Sequence, residues 1–455
     1  MPSFSLTQEL FSTPAMRAVF SPRATLQYML DVEAALAAAQ AEVGVIPAES
    51  AAAIAACCRA ELIDETSLAT AAGLAGNLAI PLVKQLTVLV AAKDPVAAGF
   101  VHWGATSQDI IDTALVLQLR QALRQISEGL DAGTRTLADL ARQYRDTPMI
   151  GRTWMQHALP VTFGLKAAGW LDSLLRQQQR LHEMRARLLA LQLGGAAGTL
   201  ASLQGQGGQV ATAMAGRLGL DLPDLPWHAQ RDRIAEVAAF CGLLCGSLGK
   251  MARDLSLLSQ TEVGELAEPA GPGRGGSSTM PHKRNPVACA VALAAANRAP
   301  GLVASVLAGM AGENERALGG WQAEWEVIPE LLQLSAASLS QLVGALQGLQ
   351  VYPARMQENL GMTRGLVMAE AVSLALGRHL GKQAAHQLVE QACRQALERG
   401  LDLQQALTAL PEVTKILDAA QLASLMDPAN YAGQAGDFVN RVLQSWDRQK
   451  GVKHG

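Results

Sequence analysis

The sequence has few of the residues that sheets, metal sites or nucleic-acid surfaces need. Aromatic residues fill 4% of 455 positions. Alanine and leucine dominate instead, which favours helices over strands. The six cysteines are Cys57, Cys58, Cys241, Cys245, Cys289 and Cys393, and none forms a C-x-x-C pair. Cys241 and Cys245 stand one helical turn apart, but no histidine or further cysteine nearby completes a metal site. They read as small buried hydrophobes in a reducing compartment, with no metal expected. Excess positive charge is missing too. The formal net charge is -3, so no basic field points to nucleic acid, and an anionic ligand must be met by local cations. No apolar run reaches the ~18 residues of a membrane span. The opening MPSFSLTQELFST lacks the basic flank and apolar core of a secretion signal. The expectation is a soluble cytoplasmic protein with no membrane partner.

Helix is what the sequence has in abundance. Leu26, Met29, Leu30, Val32, Ala35, Leu36 and Ala39 recur at three-four spacing and predict a helix over 22–43, stopped by Gly44 to Pro47. From Asp109 to Tyr144 the same periodicity runs through Leu115, Leu119, Leu123, Ile126, Leu130 and Leu137. That predicts a helix of ~35 residues, about 50 Å long. Similar segments cover 160–193, 233–266, 286–310 and 325–349. Five such helices exceed one globular core. Their apolar residues spread too widely for a two-helix seam, and a bundle continuing across subunits would use those faces. The division expected is an N-terminal helical domain (1–108), a central long-helix domain (109–352) and a C-terminal helical domain (353–455). No strand-rich run or internal repeat appears, so the fold class expected is all-α. Two long loops interrupt it, at 194–209 and 264–280.

The second loop leads into GPGRGGSSTMPHKRNP, Gly271 to Pro286. Gly271, Gly273 and Gly276 spell G-x-G-x-x-G, but a dinucleotide cradle needs a strand before the motif and a helix after it. Here a helix precedes, Pro272 interrupts and Pro281 follows. A solvated connector is the plain alternative. Against it stand Lys283 and Arg284, with Asn285 and Pro286 at the start of the next helix. Cations beside a helix N-terminus suit a carboxylate.

GSSTMPHKRNP (Gly276 to Pro286) resembles the signature loop of the fumarase/aspartase superfamily. HWGATSQDIIDT (His102 to Thr113) and GRTWMQHALPVTFG (Gly151 to Gly164) resemble its two other shared regions. PAMRAVFS (Pro14 to Ser21) and QRDRIAEV (Gln230 to Val237) place the chain nearest the adenylosuccinate lyase-like branch. The resemblance covers essentially the whole chain. It implies three helical domains, a homotetramer around a twenty-helix core, and active sites each assembled from three subunits. Two departures stand out. Adenylosuccinate lyases carry a histidine where this chain has Trp154, and another where AGNLAIP offers Asn77. Those histidines handle a leaving amine. This pattern, with ENERALGGWQAEW (Glu313 to Trp325), resembles the superfamily's bacterial cycloisomerases. They close 3-carboxy-cis,cis-muconate to 4-carboxymuconolactone in protocatechuate breakdown, within the β-ketoadipate pathway.

The chemistry accounts for the departures. Reactions of this superfamily place charge on a carboxylate beside a reacting C–H, and the protein must hold cations and N–H donors where that charge develops. The resemblance gives Ser277 the proton transfer and gives Lys283 and Asn285 the developing charge. An amine leaving group needs a general acid; a carboxylate does not. In ring closure the nucleophile is an ionised, tethered carboxylate, so two histidines are dispensable. Trp154 becomes an apolar wall that folds the diene and excludes water, with simple packing as the alternative. The carboxylates fall to His102, Thr106, Ser107, Gln156, Arg316 and Arg17. Each has a plainer role: Arg17 pairing on the surface, Thr106 and Ser107 capping a helix, His102 as a satisfied core residue. His157 and His282 are read as structural. No cofactor is expected, and the partners are a small tricarboxylate and further copies of the chain. An elimination releasing fumarate, as in adenylosuccinate lyase, is the second reading, and the missing histidines oppose it. A non-enzymatic helical scaffold would explain the helices but not the glycine-rich loop.

Overall fold

A computed structural model of the chain describes all residues except 1–5, 272, 274, 277, 278, 281 and 454–455, with only the backbone of 451–453. Ser277 lies outside the described residues. The fold is all-α, and the long helices fall where the periodicity puts them. Helix α1 spans Pro22–Val43, with Ser21 accepting the Ala24 N–H, Pro22 at its first position and Gly44 (φ 84°) ending it. The five long helices are α2 (Ser107–Gln143), α3 (Phe163–Leu188), α4 (Asp232–Leu258), α5 (Val287–Gly309) and α6 (Gly320–Gln347). At 37 residues α2 is about 55 Å long. Gly129 breaks its apolar pattern for a packing reason: a Cβ there would stand 2.7 Å from Leu339 Cδ2 on α6.

The chain divides into two compact units. One comprises residues 1–130, 177–249 and 291–341; the other comprises 131–176, 250–290 and 342–455. Each long helix lends residues to both. The first unit packs Met29, Leu30 and Leu36 of α1 and Ile110, Leu119 and Leu123 of α2 into its interior. In the second, Val372, Leu376, Val389, Leu403 and Leu407 form a core among the C-terminal helices.

Two expectations need correction. Strands do occur: Pro148–Thr153 (β1) and Gln156–Thr162 (β2) form an antiparallel hairpin, with Met149 opposite Val161 and Thr153 opposite Gln156. Its two-residue turn is Trp154–Met155, at φ 50° and 64°. Such turns normally carry Asn-Gly, and proline usually marks a sheet edge or a non-strand. Trp-Met and Pro160 therefore hid the hairpin, and the helix expected from 160 starts at Phe163. Secondly, α4 and α5 are long and apolar enough to cross a membrane by length and composition. Alanine, glycine, valine and cysteine keep a window apolar on average, even where Asn297 and Arg298 interrupt the run. The apolar side chains of α4, among them Ile234, Val237, Phe240, Leu244 and Leu248, are buried within the protein.

Candidate active site

In the first unit the shared region from His102 builds one part of the site. Ser107 opens α2. The Thr106 N–H donates to Asp109 Oδ2 at 2.9 Å, and the Asp109 N–H donates back to Thr106 O at 3.0 Å. This closes the first turn and leaves both hydroxyls, of Thr106 and of Ser107, unbonded among the described residues. Asp109 itself is fully buried. It accepts the Gly194 N–H at 2.8 Å and the Gly195 N–H at 2.9 Å, and His228 Nε2 lies 2.7 Å from Oδ1. One carboxylate thus ties the α2 entry, the loop from Gly194 and the segment leading into α4. Gly195 sits at φ 68°, which a larger residue rarely adopts, and a Cβ there would crowd Gly104 O at 3.1 Å.

The next residue of that loop holds Arg316, whose Nη2 donates to Ala196 O at 3.0 Å. Arg316 Nε is buried with no partner among the described residues, a donor suited to a carboxylate. The structure therefore brings Thr106, Ser107 and Arg316 onto one loop system. His102 stands just before it, with Nδ1 2.6 Å from Glu33 Oε1. Arg17 is committed elsewhere, to Glu9 at 2.7 Å and Ser12 O at 3.4 Å. No bond among the described residues joins it to the Thr106 cluster.

Replacing Asp109 by asparagine tests this scaffold. The amide nitrogen cannot accept, so buried donors lose their partner. We expect a stability loss of about 1–3 kcal/mol, read by urea unfolding. Affinity for a carboxylate ligand should fall about tenfold or more, read by calorimetry, as Thr106 and the Arg316 loop lose register.

Beneath Asp109 lies a buried charge network that the sequence did not announce. Arg231 bonds Asp112 with Nη1 at 2.7 Å and Nη2 at 3.1 Å, and Glu324 with Nε at 3.0 Å and Nη2 at 2.5 Å. Trp321 Nε1 and Gln108 Nε2 each donate to Asp112 at 3.0 Å. Burial pulls against the Arg231 cation, but the two carboxylates outweigh it and hold its pKa above the ordinary value. Burial raises the pKa of Glu324 despite Arg231.

In the second unit the hairpin lifts its turn away from the protein. Arg152 grips Glu265 with two bonds, at 2.7 and 3.1 Å, and Asn359 Nδ2 donates to Glu265 Oε1 at 2.7 Å. This anchors the hairpin stem to Pro353–Gly361. Beyond it Trp154 is 97% exposed and Met155 71%. Packing within its own chain is thus not what Trp154 does. Two large residues with positive φ, side by side, are strained, and such strain concentrates at functional sites. Gln156 is exposed beside them. His157 has its pKa lowered by partial burial and by Arg152.

Lys283 is exposed, and no ion pair engages it among the described residues. The Asn285 N–H donates to Gly275 O at 2.8 Å, and a Cβ on Gly275 (φ 65°) would stand 2.7 Å from Asn285 O. The loop thus folds back on itself at Asn285, while Arg284 Nη1 reaches Gln350 Oε1 at 2.7 Å. The N-terminus of α5 was expected to hold a substrate carboxylate. The structure gives that place to Glu268, which accepts the Ala288 and Cys289 N–H groups at 3.2 and 3.0 Å. A resident carboxylate already answers the helix dipole there. Among the described residues no group of three or more His, Cys, Asp or Glu could hold a metal ion.

A family profile described as lyase matches residues 10–301, and one described as adenylosuccinate lyase C-terminus matches 365–442. The chain is 56% identical over 443 residues to 3-carboxy-cis,cis-muconate cycloisomerase of Pseudomonas aeruginosa, covering 97% of this chain and 96% of that one. It is 49% identical over 443 residues to the protein of the same name from Bradyrhizobium diazoefficiens, covering 97% and 98%. Among solved structures, the 3-carboxy-cis,cis-muconate lactonizing enzyme from Pseudomonas putida matches with a TM-score of 0.94 at 49% identity, over 97% of this chain and 99% of that one.

Proposed function

The chain belongs to the lyase family of the fumarase/aspartase superfamily, and from that premise we propose that it closes 3-carboxy-cis,cis-muconate to 4-carboxymuconolactone in aromatic-acid breakdown through protocatechuate. The observation that carries this reading is the exposed Trp154 turn. Amine-releasing relatives need an acid at this place, and here an indole stands instead. Asn77, at the other departure, lies just ahead of the helix Ala79–Ala91 and accepts the Ile80 N–H at 3.1 Å. Neither position can protonate a leaving amine.

In the proposed reaction a substrate carboxylate oxygen bonds to an alkene carbon. The displaced π pair moves onto the conjugated carboxylate, and the carbon beside that carboxylate then takes up a proton. Lys283 and the Asn285 amide stabilise the charge on that carboxylate. Ser277 delivers the proton. Thr106, Ser107, Gln156 and Arg316 hold the remaining carboxylates, with His102 and Arg17 at the margin. Trp154 closes over the diene and keeps water away from the carbanion-like centre.

The chain works as a homotetramer in this reading, with sites shared between subunits. Support comes from α5, whose far half exposes Gly301, Ala304, Ser305, Leu307 and Ala308 on an apolar helix. Small residues let another helix approach closely, and an isologous bundle would cover them. The division into 1–108, 109–352 and 353–455 makes the long-helix segment the assembling domain. All six cysteines are free, in keeping with a reducing cytoplasm.

Loss of diene absorbance, followed with purified protein, 3-carboxy-cis,cis-muconate and EDTA, tests the reading. We expect turnover without added metal or nucleotide. Turnover of adenylosuccinate instead would replace it with the elimination.

A further inference from the structure

Helix α1 carries two polar residues where its apolar stripe should continue. Met29, Glu33, Leu36 and Gln40 follow one helical face, and all four are buried, Glu33 to 1% exposure and Gln40 to 0%. Both polar side chains reach the same short loop. Gln40 Nε2 donates to Trp103 O at 2.6 Å, and Glu33 Oε1 lies 2.6 Å from His102 Nδ1. His102 adopts φ 59°, a backbone setting that costs a non-glycine residue energy unless its surroundings impose it. Its side chain keeps 19% exposure. The loop is thus held from beneath by α1 while His102 retains a face toward solvent, four residues before Thr106.

Glu33 has one partner only: its Oε2 is buried and bonds no described residue. A carboxylate so enclosed calls for a cation against it. Glu33 from α1 bonds the His102 ring, and Asp109 from α2, itself against His228 Nε2 at 2.7 Å, adds its charge. We propose that Glu33 is a positioning residue that keeps His102 protonated on both ring nitrogens, making Nε2–H a charged donor to a substrate carboxylate. The identity of that ligand rests on the cycloisomerase reading; the state of the pair does not. Burial works against the imidazolium, yet the charge and hydrogen bond of Glu33, with Asp109, raise the His102 pKa above its ordinary value of 6.5. The sign follows. The charged donor is fully present below pH 6.5 and is lost as pH climbs through the raised value. Substrate affinity therefore carries an alkaline limb set by His102.

Two measurements test this. In full-length protein with 15N-labelled histidine rings, the His102 signals are identified by their loss in His102→Gln. We expect both nitrogens protonated at pH 7; a neutral ring there overturns the proposal. In Glu33→Gln the alkaline limb of kcat/KM should move acidward by about one pH unit or more. At pH 8 KM should rise about tenfold, with kcat within about threefold. A Glu33 that merely packs would lower kcat and thermal stability together and leave the limb in place, which also overturns it. If Glu33→Gln does not fold, the wild-type ring titration decides. If 3-carboxy-cis,cis-muconate is not turned over at all, the substrate reading fails, while the titration still reports on the pair.

Discussion

Ser277→Ala should lower kcat for ring closure about 10³-fold and leave the dissociation constant of the tricarboxylate within about threefold. The argument is one of timing. Bond formation by a tethered carboxylate needs no proton, but it leaves electron density on a carbon and its carboxylate. Without a donor at the carbon, the adduct collapses back to diene. In the proposed reaction alanine removes that donor and leaves Lys283 and Arg316 in place. Lys283→Ala should behave differently. In the proposed reaction Lys283 meets the substrate carboxylate in the ground state and more strongly as charge grows, so its loss should raise KM and lower kcat, the latter about 10²–10³-fold. Single-turnover diene absorbance with calorimetric binding separates the two patterns. Equal losses of binding in both variants would remove Ser277 from the chemistry and leave it a contact residue.

Much of the scaffold could be read from the residues alone. Helical periodicity needs only a 3.6-residue repeat, and Leu26, Met29, Leu30, Leu36 and Gly44 bound α1 to the residue. The hairpin resisted because its turn lacks the usual Asn-Gly and its second strand holds Pro160. Strain at Trp154 and Met155 replaces the local preference, and no single-sequence signal marks a residue forced into positive φ. The residues proposed to hold substrate stand in motifs that can be read in the sequence. What supports them was not. Glu33, Asp112, Arg231 and Glu324 look like any surface charge in sequence, since solvation and mutual pairing are equally good explanations until positions far apart in the chain are brought together. His228 and Arg231 reach α2 residues well over a hundred positions away. Glu268 at the α5 N-terminus shows the opposite error. A sequence can reveal that a helix end is available to an anion, but not whether the chain has filled it.

Arg231→Met should destabilise the protein by about 3–5 kcal/mol. Asp112 and Glu324 are 0% and 2% exposed, and the methionine leaves two carboxylates facing each other without a cation. Trp321 and Gln108 still donate to Asp112, but neutral donors do not offset a second negative charge. The arginine side chain also lies over the Trp227 ring, 5.0 Å from its centre, so packing is lost with the charge. The deficit should depend on pH in a stated direction. Burial already raises the Glu324 pKa above 4.5, and removing Arg231 takes away the group that opposes this. A carboxyl with a raised folded-state pKa favours the fold below its unfolded value and opposes it as pH climbs through the folded one. The gap between variant and wild type should therefore be largest near pH 8 and shrink toward pH 5. Urea unfolding at matched protein concentration, at both pH values, measures it. Arg231→Lys separates charge from geometry: one ammonium cannot bond both carboxylates as a planar fork does, so its loss should be smaller than that of methionine but not absent. A gap that stays constant across pH would mean that Arg231 acts through shape alone.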